Sequence, residues 1–142
     1  MKGKQMSNET RNNYINRIIV VINFIEKNLE QELSLKCLSK MACFSPFPFH
    51  RSFLAITGET LNAFITRKRI EKIAALLLTG TRDHLTDLAF KYGFNSANSF
   101  SRAFKKFYGV TPTAFTENFS KIGIAVLTYE KYICSINHMK SK

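Results

Sequence analysis

Cys134 and His138 stand four residues apart, a spacing that would put a thiol and an imidazole on one face of a helix. A nucleophile also needs a base at hydrogen-bond distance and a pocket, and nothing else in the chain builds either. The three histidines are scattered and no carboxylate cluster accompanies them. No enzyme chemistry, metal site or cofactor is therefore expected. Cys37, Cys43 and Cys134 are odd in number, widely spaced and free of any C-x-x-C pattern. They suit a reducing compartment better than a disulfide framework or a zinc site. A second set of side chains offers different chemistry. His50 and Arg51, then Asn98, Ser101, Arg102, Lys105 and Lys106, are hydrogen-bond donors and cations. Such groups grip anions and flat polar edges.

The charge of the whole chain agrees with that second set. Its 142 residues carry a formal net charge of +11, with a pI near 9.8. A protein this basic attracts polyanions, with nucleic acid the first candidate and an anionic membrane surface the second. The membrane reading needs a continuous basic amphipathic helix. The longest candidate, LNAFITRKRIEKIAALLL, is better explained as a linker between two units. No apolar run approaches the length of a bilayer span. The polar start MKGKQMSNETRNN has no signal-peptide pattern. The expected setting is cytoplasmic, without a membrane partner.

Thirteen Phe supply a core, while six Gly and three Pro interrupt the chain rarely. That scarcity of breakers predicts an all-α fold. Residues 1–12 read as a flexible tail. Ile15, Ile18, Ile19, Ile22, Ile25 and Leu29 then mark a buried helical face. Val20, Val21 and Phe24 make that helix apolar on other sides too, so it should be well covered. Ser34 caps a short helix to about Met41, with Leu33 and Leu38 as a hydrophobic staple. Ser45 caps a further helix to Gly58, and Thr60 caps a long one ending at Thr79-Gly80. Asp83 then caps LTDLAFKY. Asn95 or Ser96 caps SANSFSRAFKKFY, which stops at Gly109. Pro112 opens a last short helix through Phe115.

This layout is an internal repeat. Phe44, Arg51, Phe53, Gly58 and Phe64 correspond to Phe94, Arg102, Phe104, Gly109 and Phe115. The offset is fifty residues at the turn and fifty-one after it. Each copy reads short helix, tight turn, second helix with R-x-F, then Gly. In such a pair the first helix braces the second, which can lie in a major groove. Leu38 with Met41, and Leu88 with Tyr92, should pack toward the core. Ala42 and Cys43, or Gly93, let the helices approach. Phe49 and Phe53, like Phe100 and Phe104, anchor the second helix from below. His50 and Arg51, or Asn98, Ser101 and Arg102, can then face outward. The aromatic residues are read as core and not as base-stacking platforms.

The second copy carries LAFKYGF (Leu88–Phe94), FSRAFKK (Phe100–Lys106) and FYGVTPTAF (Phe107–Phe115). The first has SPFPFHRSF (Ser45–Phe53) and TGETLNAFI (Thr57–Ile65). These motifs resemble the DNA-binding domain of AraC/XylS-type bacterial transcription regulators, over roughly 100 residues. The resemblance implies a seven-helix bundle of two helix-turn-helix subdomains joined by a long linker helix. Residues 13–80 form the first subdomain with the linker, and residues 81–119 the second. It implies double-stranded DNA as partner, RNA polymerase as a further partner, an activator role, and association with the nucleoid when bound. His50, Arg51, Ala97, Asn98, Ser101 and Arg102 would read bases. Ser45, Ser96, Lys105 and Lys106 would contact phosphates. Two different units in one chain imply an asymmetric site bound by a monomer. The rival reading is a non-specific architectural DNA binder.

Copy one departs from the family where Leu54 and Ala55 replace the usual lysines. Pro48 removes the donor that Ser45 would cap, leaving Phe47, and disfavours helical angles there. A displaced or frayed helix start is expected, with weaker reading by copy one. After Phe115 the family pattern fades. Residues 120–142 form a tail with both helical spacing and strand-like alternation. SKIGIA resembles the junction to an effector domain in some relatives, so a remnant of a longer regulator is a further reading.

Overall fold

The computed structural model describes residues 7–122, and among them every regular element is helical. The helices are α1 (Asn8–Lys27), α2 (Leu35–Met41), α3 (Pro46–Thr57), α4 (Leu61–Leu78), α5 (Leu85–Lys91), α6 (Ala97–Tyr108) and α7 (Pro112–Ile122). The all-α architecture matches the reading of the sequence, with two short-helix pairs flanking the long α4. Cys134, His138 and the apolar positions beyond Ile122 lie outside the described residues.

α1 begins at Asn8, so residues 8–12 are helical and not part of a tail. Ser7 is the cause: its hydroxyl accepts the Thr10 N–H at 3.2 Å, and Glu9 in the first turn favours the helix dipole. Ile18, Val21 and Ile25 are fully buried, whereas Ile19 and Val20 are 45% and 55% exposed. α1 is thus less covered than its composition predicts, because it buries the stripe that meets its neighbours and leaves the other side open.

α2 is capped by Ser34, whose hydroxyl accepts the Cys37 N–H at 3.2 Å. Leu38 packs inward with Ala42, one turn on, while Met41 is 38% exposed. Ala42 holds the inward place expected of Met41 because residues four apart share a face. In copy two Tyr92 does pack inward with Leu88. The turns that follow match in detail. Phe44 N–H donates to the Ser39 carbonyl at 2.9 Å, and Phe94 N–H to the Ala89 carbonyl at 2.9 Å. Both close through a left-handed residue, Cys43 (φ 57°) and Gly93 (φ 85°).

α3 starts regularly at Pro46, and Phe49 N–H donates to the Ser45 carbonyl at 3.0 Å. The expected fraying is absent. Ser45 makes no side-chain capping bond at all, to Phe47 or otherwise. Fully buried Phe49 and Phe53 hold the helix in place despite the two prolines. α6 is capped by Ser96 rather than Asn95. Its hydroxyl accepts the Ser99 N–H at 3.0 Å, and Ser99 Oγ accepts the Ser96 N–H at 3.3 Å. α5 is entered through His84 with no side-chain cap; Asp83 instead donates its N–H to Thr81 Oγ1 at 3.2 Å. α7 runs on past Phe115 to Ile122.

The core repeats as well. In copy one the rings Phe44, Phe49, Phe53 and Phe64 form a chain with centroid spacings of 6.4, 5.8 and 5.4 Å. In copy two Phe94, Phe100, Phe104 and Phe115 form the same chain at 5.2, 5.7 and 5.2 Å. Each chain runs from the turn, under the second helix, to the helix that follows. The aromatic residues of these two chains are packed in the core, as expected, whereas Phe47, Phe90, Phe107 and Tyr108 are exposed. α4 buries Leu61, Phe64 and Ile65 near its start and Ile70, Ile73, Ala74 and Leu78 further on, and so serves both units.

Candidate nucleic-acid interface

α3 and α6 are both twelve residues long and fifty-one residues apart. Each has a serine N-cap and a glycine C-cap at φ 78°. They can therefore be compared position by position. Their undersides are Phe49 with Phe53 and Phe100 with Phe104, all fully buried. With 3.6 residues per turn, the opposite stripe of α6 is Asn98, Arg102, Lys105 and Lys106. All four are exposed. On α3 the same stripe is Phe47, Arg51, Leu54 and Ala55, likewise exposed.

The structure thus brings four of the sequence-predicted residues of copy two onto one open face. Ser101 and its counterpart His50 are half-buried at the flank of that face, as is Ala97. Ser96 stands at the start of α6, half-buried, with its hydroxyl committed to the cap. Ser45 is exposed at the start of α3.

Phe47 was missed by sequence reasoning. It is 69% exposed, the most open of the large hydrophobic residues described. The Arg51 guanidinium lies 5.8 Å from its ring centroid. The signal was present: an offset of fifty-one puts Phe47 in register with Asn98.

Electrostatics separate the stripe from its support. Arg67 of α4 makes a two-pronged pair with Glu59, Nε and Nη2 each at 2.9 Å, and reaches Glu71 at 2.9 Å. The hydrogen bonds to Glu59, opposed by burial and helped by the one to Glu71, raise the arginine's pKa further above its already high value. Lys68 pairs with Glu26 at 3.1 Å and Lys91 with Glu30 at 3.7 Å. Among the described residues, Arg51, Arg102, Lys105 and Lys106 join no such pair. Their charges stay available to an external anion, while the carboxylates neutralise the scaffold. Among the described residues no group of three or more His, Cys, Asp or Glu could hold a metal ion. No helix among them is long and apolar enough to cross a membrane.

A family model described as a helix-turn-helix domain matches residues 38–118, spanning both units. The chain belongs to the AraC family of DNA-binding transcription regulators. Its fold and family are those of regulators, not enzymes. Similar proteins include the transposon Tn10 TetD protein of Escherichia coli, 38% identical over 98 residues, covering 69% of this chain and 70% of that one. The transcriptional activator AarP of Providencia stuartii is 34% identical over 95 residues, covering 67% and 70%. Other relatives are longer: the chain spans 32% of the Bacillus subtilis regulator YbfP. Two solved structures share the fold at TM-score 0.68. One is the DNA-binding domain of AdpA in complex with a target DNA, 20% identical, covering 75% of this chain and 96% of that one. The other is an AraC-type regulator from Chromobacterium violaceum, 19% identical, covering 72% and 91%.

Proposed function

We propose that this chain reads double-stranded DNA sequence-specifically, with α3 and α6 entering two successive major-groove segments. The observation that carries the reading is the matched pair of helices. Each is anchored by two buried phenylalanines and presents an exposed stripe on its other side. The segments would lie about one helical turn, roughly 34 Å, apart on one face of the duplex.

The two stripes differ in chemistry, so the two units take unequal shares. On α6, Arg102 suits a bidentate pair with guanine and Asn98 one with adenine. Lys105 and Lys106 supply phosphate contacts, which dominate salt-dependent affinity. Ser96 adds a contact at the helix start, with Ala97 and Ser101 at the groove edge. On α3, Arg51 and His50 offer polar contacts and Ser45 a phosphate contact. Phe47, standing where α6 has Asn98, suits the methyl group of thymine. Leu54 and Ala55 offer phosphates nothing. We read the chain as acting as a monomer on an asymmetric site. We read its role as activation, which the name of one relative, the activator AarP, supports, and RNA polymerase as the further partner such a role would need.

Selection of bound sequences from a random duplex library at near-physiological salt tests this reading. An asymmetric motif of two blocks about ten base pairs apart is expected. A flat selection with strong salt dependence would instead mean a non-specific architectural binder.

A further inference from the structure

Most contacts around the two turns are repeated between the copies and so serve each unit by itself. One set is not repeated. Arg69 of α4 donates from Nε to the Leu29 carbonyl at 3.0 Å and from Nη2 to the Gln31 carbonyl at 2.7 Å. The same guanidinium lies over Gly93, where a Cβ atom would sit 2.6 Å from Nη1. Glu30, between the two residues whose carbonyls accept from Arg69, reaches to the second unit: its carboxylate lies 3.7 Å from Lys91 Nζ and 3.5 Å from the Tyr92 hydroxyl. The strap that carries these groups is itself held, with Gln31 N–H on the Asn28 carbonyl at 3.0 Å and Asn28 Nδ2 on the Phe24 carbonyl at 2.8 Å.

We infer that Arg69 and Glu30 are positioning residues that lock the second unit onto the first and so set the spacing between the two DNA blocks. This rests on the two-segment reading above. Three elements meet here: the segment between α1 and α2, the linker α4 and the α5–α6 turn. Apolar contact is non-directional and lets packed helices slide. A planar guanidinium with two carbonyls on one side and a glycine beneath it has one seat. The lock also accounts for the residue at the turn. At Gly93 the left-handed backbone and the arginine's place both favour a residue without a side chain, whereas the matching position in copy one, with no such arginine, holds Cys43.

The test uses the full chain and duplexes derived from the selected operator, with one block moved by −1, +1 or +2 base pairs. The wild type should lose about tenfold or more in affinity per step, since rigidly linked modules cannot engage a displaced site together. Arg69→Gln should bind the best spacing more weakly, lose less than about threefold per step, and bind the second block alone as the wild type does. Spin labels at exposed Lys40 and Thr86, with the three cysteines replaced by serine, give a second readout without DNA. The interspin distance distribution should be narrow in the parent and broader in Arg69→Gln. Should Arg69→Gln fail to fold, Glu30→Ala, at a largely exposed side chain, should broaden both profiles. A folded variant with an unchanged spacing profile and an unchanged distance distribution overturns the inference. If no operator emerges, the DNA reading fails, and the distance distribution alone decides whether the lock exists.

Discussion

Cys43 holds the left-handed backbone conformation, φ 57°, that Gly93 holds at φ 85° in the matching turn fifty residues later. A side chain in that region costs about 1–2 kcal/mol. Glycine removes the cost but loses about 0.5–1 kcal/mol through its freer unfolded chain. Cys43→Gly should therefore stabilise the protein by about 0.5–1 kcal/mol in urea unfolding. Gly93→Ala should destabilise it by more than the left-handed cost alone, because its methyl would meet Arg69. Equal effects at the two turns would show that the arginine does not press on Gly93.

Arg102 and Lys105 share the exposed stripe of α6 and should fail differently when removed. Arg102→Ala should cost about 1–3 kcal/mol at the selected operator and relax preference at one or two base positions. Lys105→Ala should weaken all duplexes alike and reduce the salt slope by about 1. Titrations of operator and scrambled duplexes at several salt concentrations separate the two outcomes. An Arg102→Ala protein with unaltered affinity and preference would remove Arg102 from base reading.

Phe47 should report on a single methyl group. Replacing the relevant thymine by deoxyuridine leaves every hydrogen-bonding atom in place and removes only that methyl. The wild type should lose about 0.8 kcal/mol or somewhat more, the worth of one buried methylene-sized group. Phe47→Ala should bind both duplexes equally. A thymine-to-uracil penalty that persists in the variant would place the methyl contact elsewhere.

Leu54 stands where α6 has Lys105. Leu54→Lys should add one phosphate contact, steepening the logarithmic salt dependence by about 0.9. Base preference should not change. Because Leu54 is already partly solvent-exposed, stability should change little. No change in the salt slope would mean that this part of α3 does not approach the DNA backbone.

Tyr92 gives a pH signature. Burial first, then the charge and hydrogen bond of Glu30 and the charge of Asp83, raise its phenol pKa above the ordinary value of 10. The folded state favours the protonated phenol, so this contribution is complete below pH 10 and is lost as pH rises through the folded value. Unfolding compared at about pH 9 and pH 11 should show a steeper loss in the wild type than in Tyr92→Phe. Parallel losses would exclude Tyr92 from the alkaline response.

The repeat was legible because each unit must bury the same aromatic chain and turn at the same place. Phe44, Phe53 and Phe64 therefore recur as Phe94, Phe104 and Phe115. The outward stripe of α6 was legible for the same reason, once Phe100 and Phe104 fixed its underside. Phe47 was not, because an aromatic residue among buried aromatics reads as core until the register with Asn98 is applied. The early start of α1 depends on one capping hydroxyl, Ser7, in an otherwise tail-like polar stretch. Arg69 left no pattern at all. Its partners are backbone carbonyls 40 and 38 residues away, and a carbonyl has no signature in sequence.

Hydroxyl-radical footprinting of the full chain on its selected operator tests the central claim most directly. Two protected segments about ten base pairs apart, on one face of the duplex, are expected. The segment under α6 should be the more strongly protected. A single protected segment, or continuous protection without helical phase, would contradict the two-unit reading.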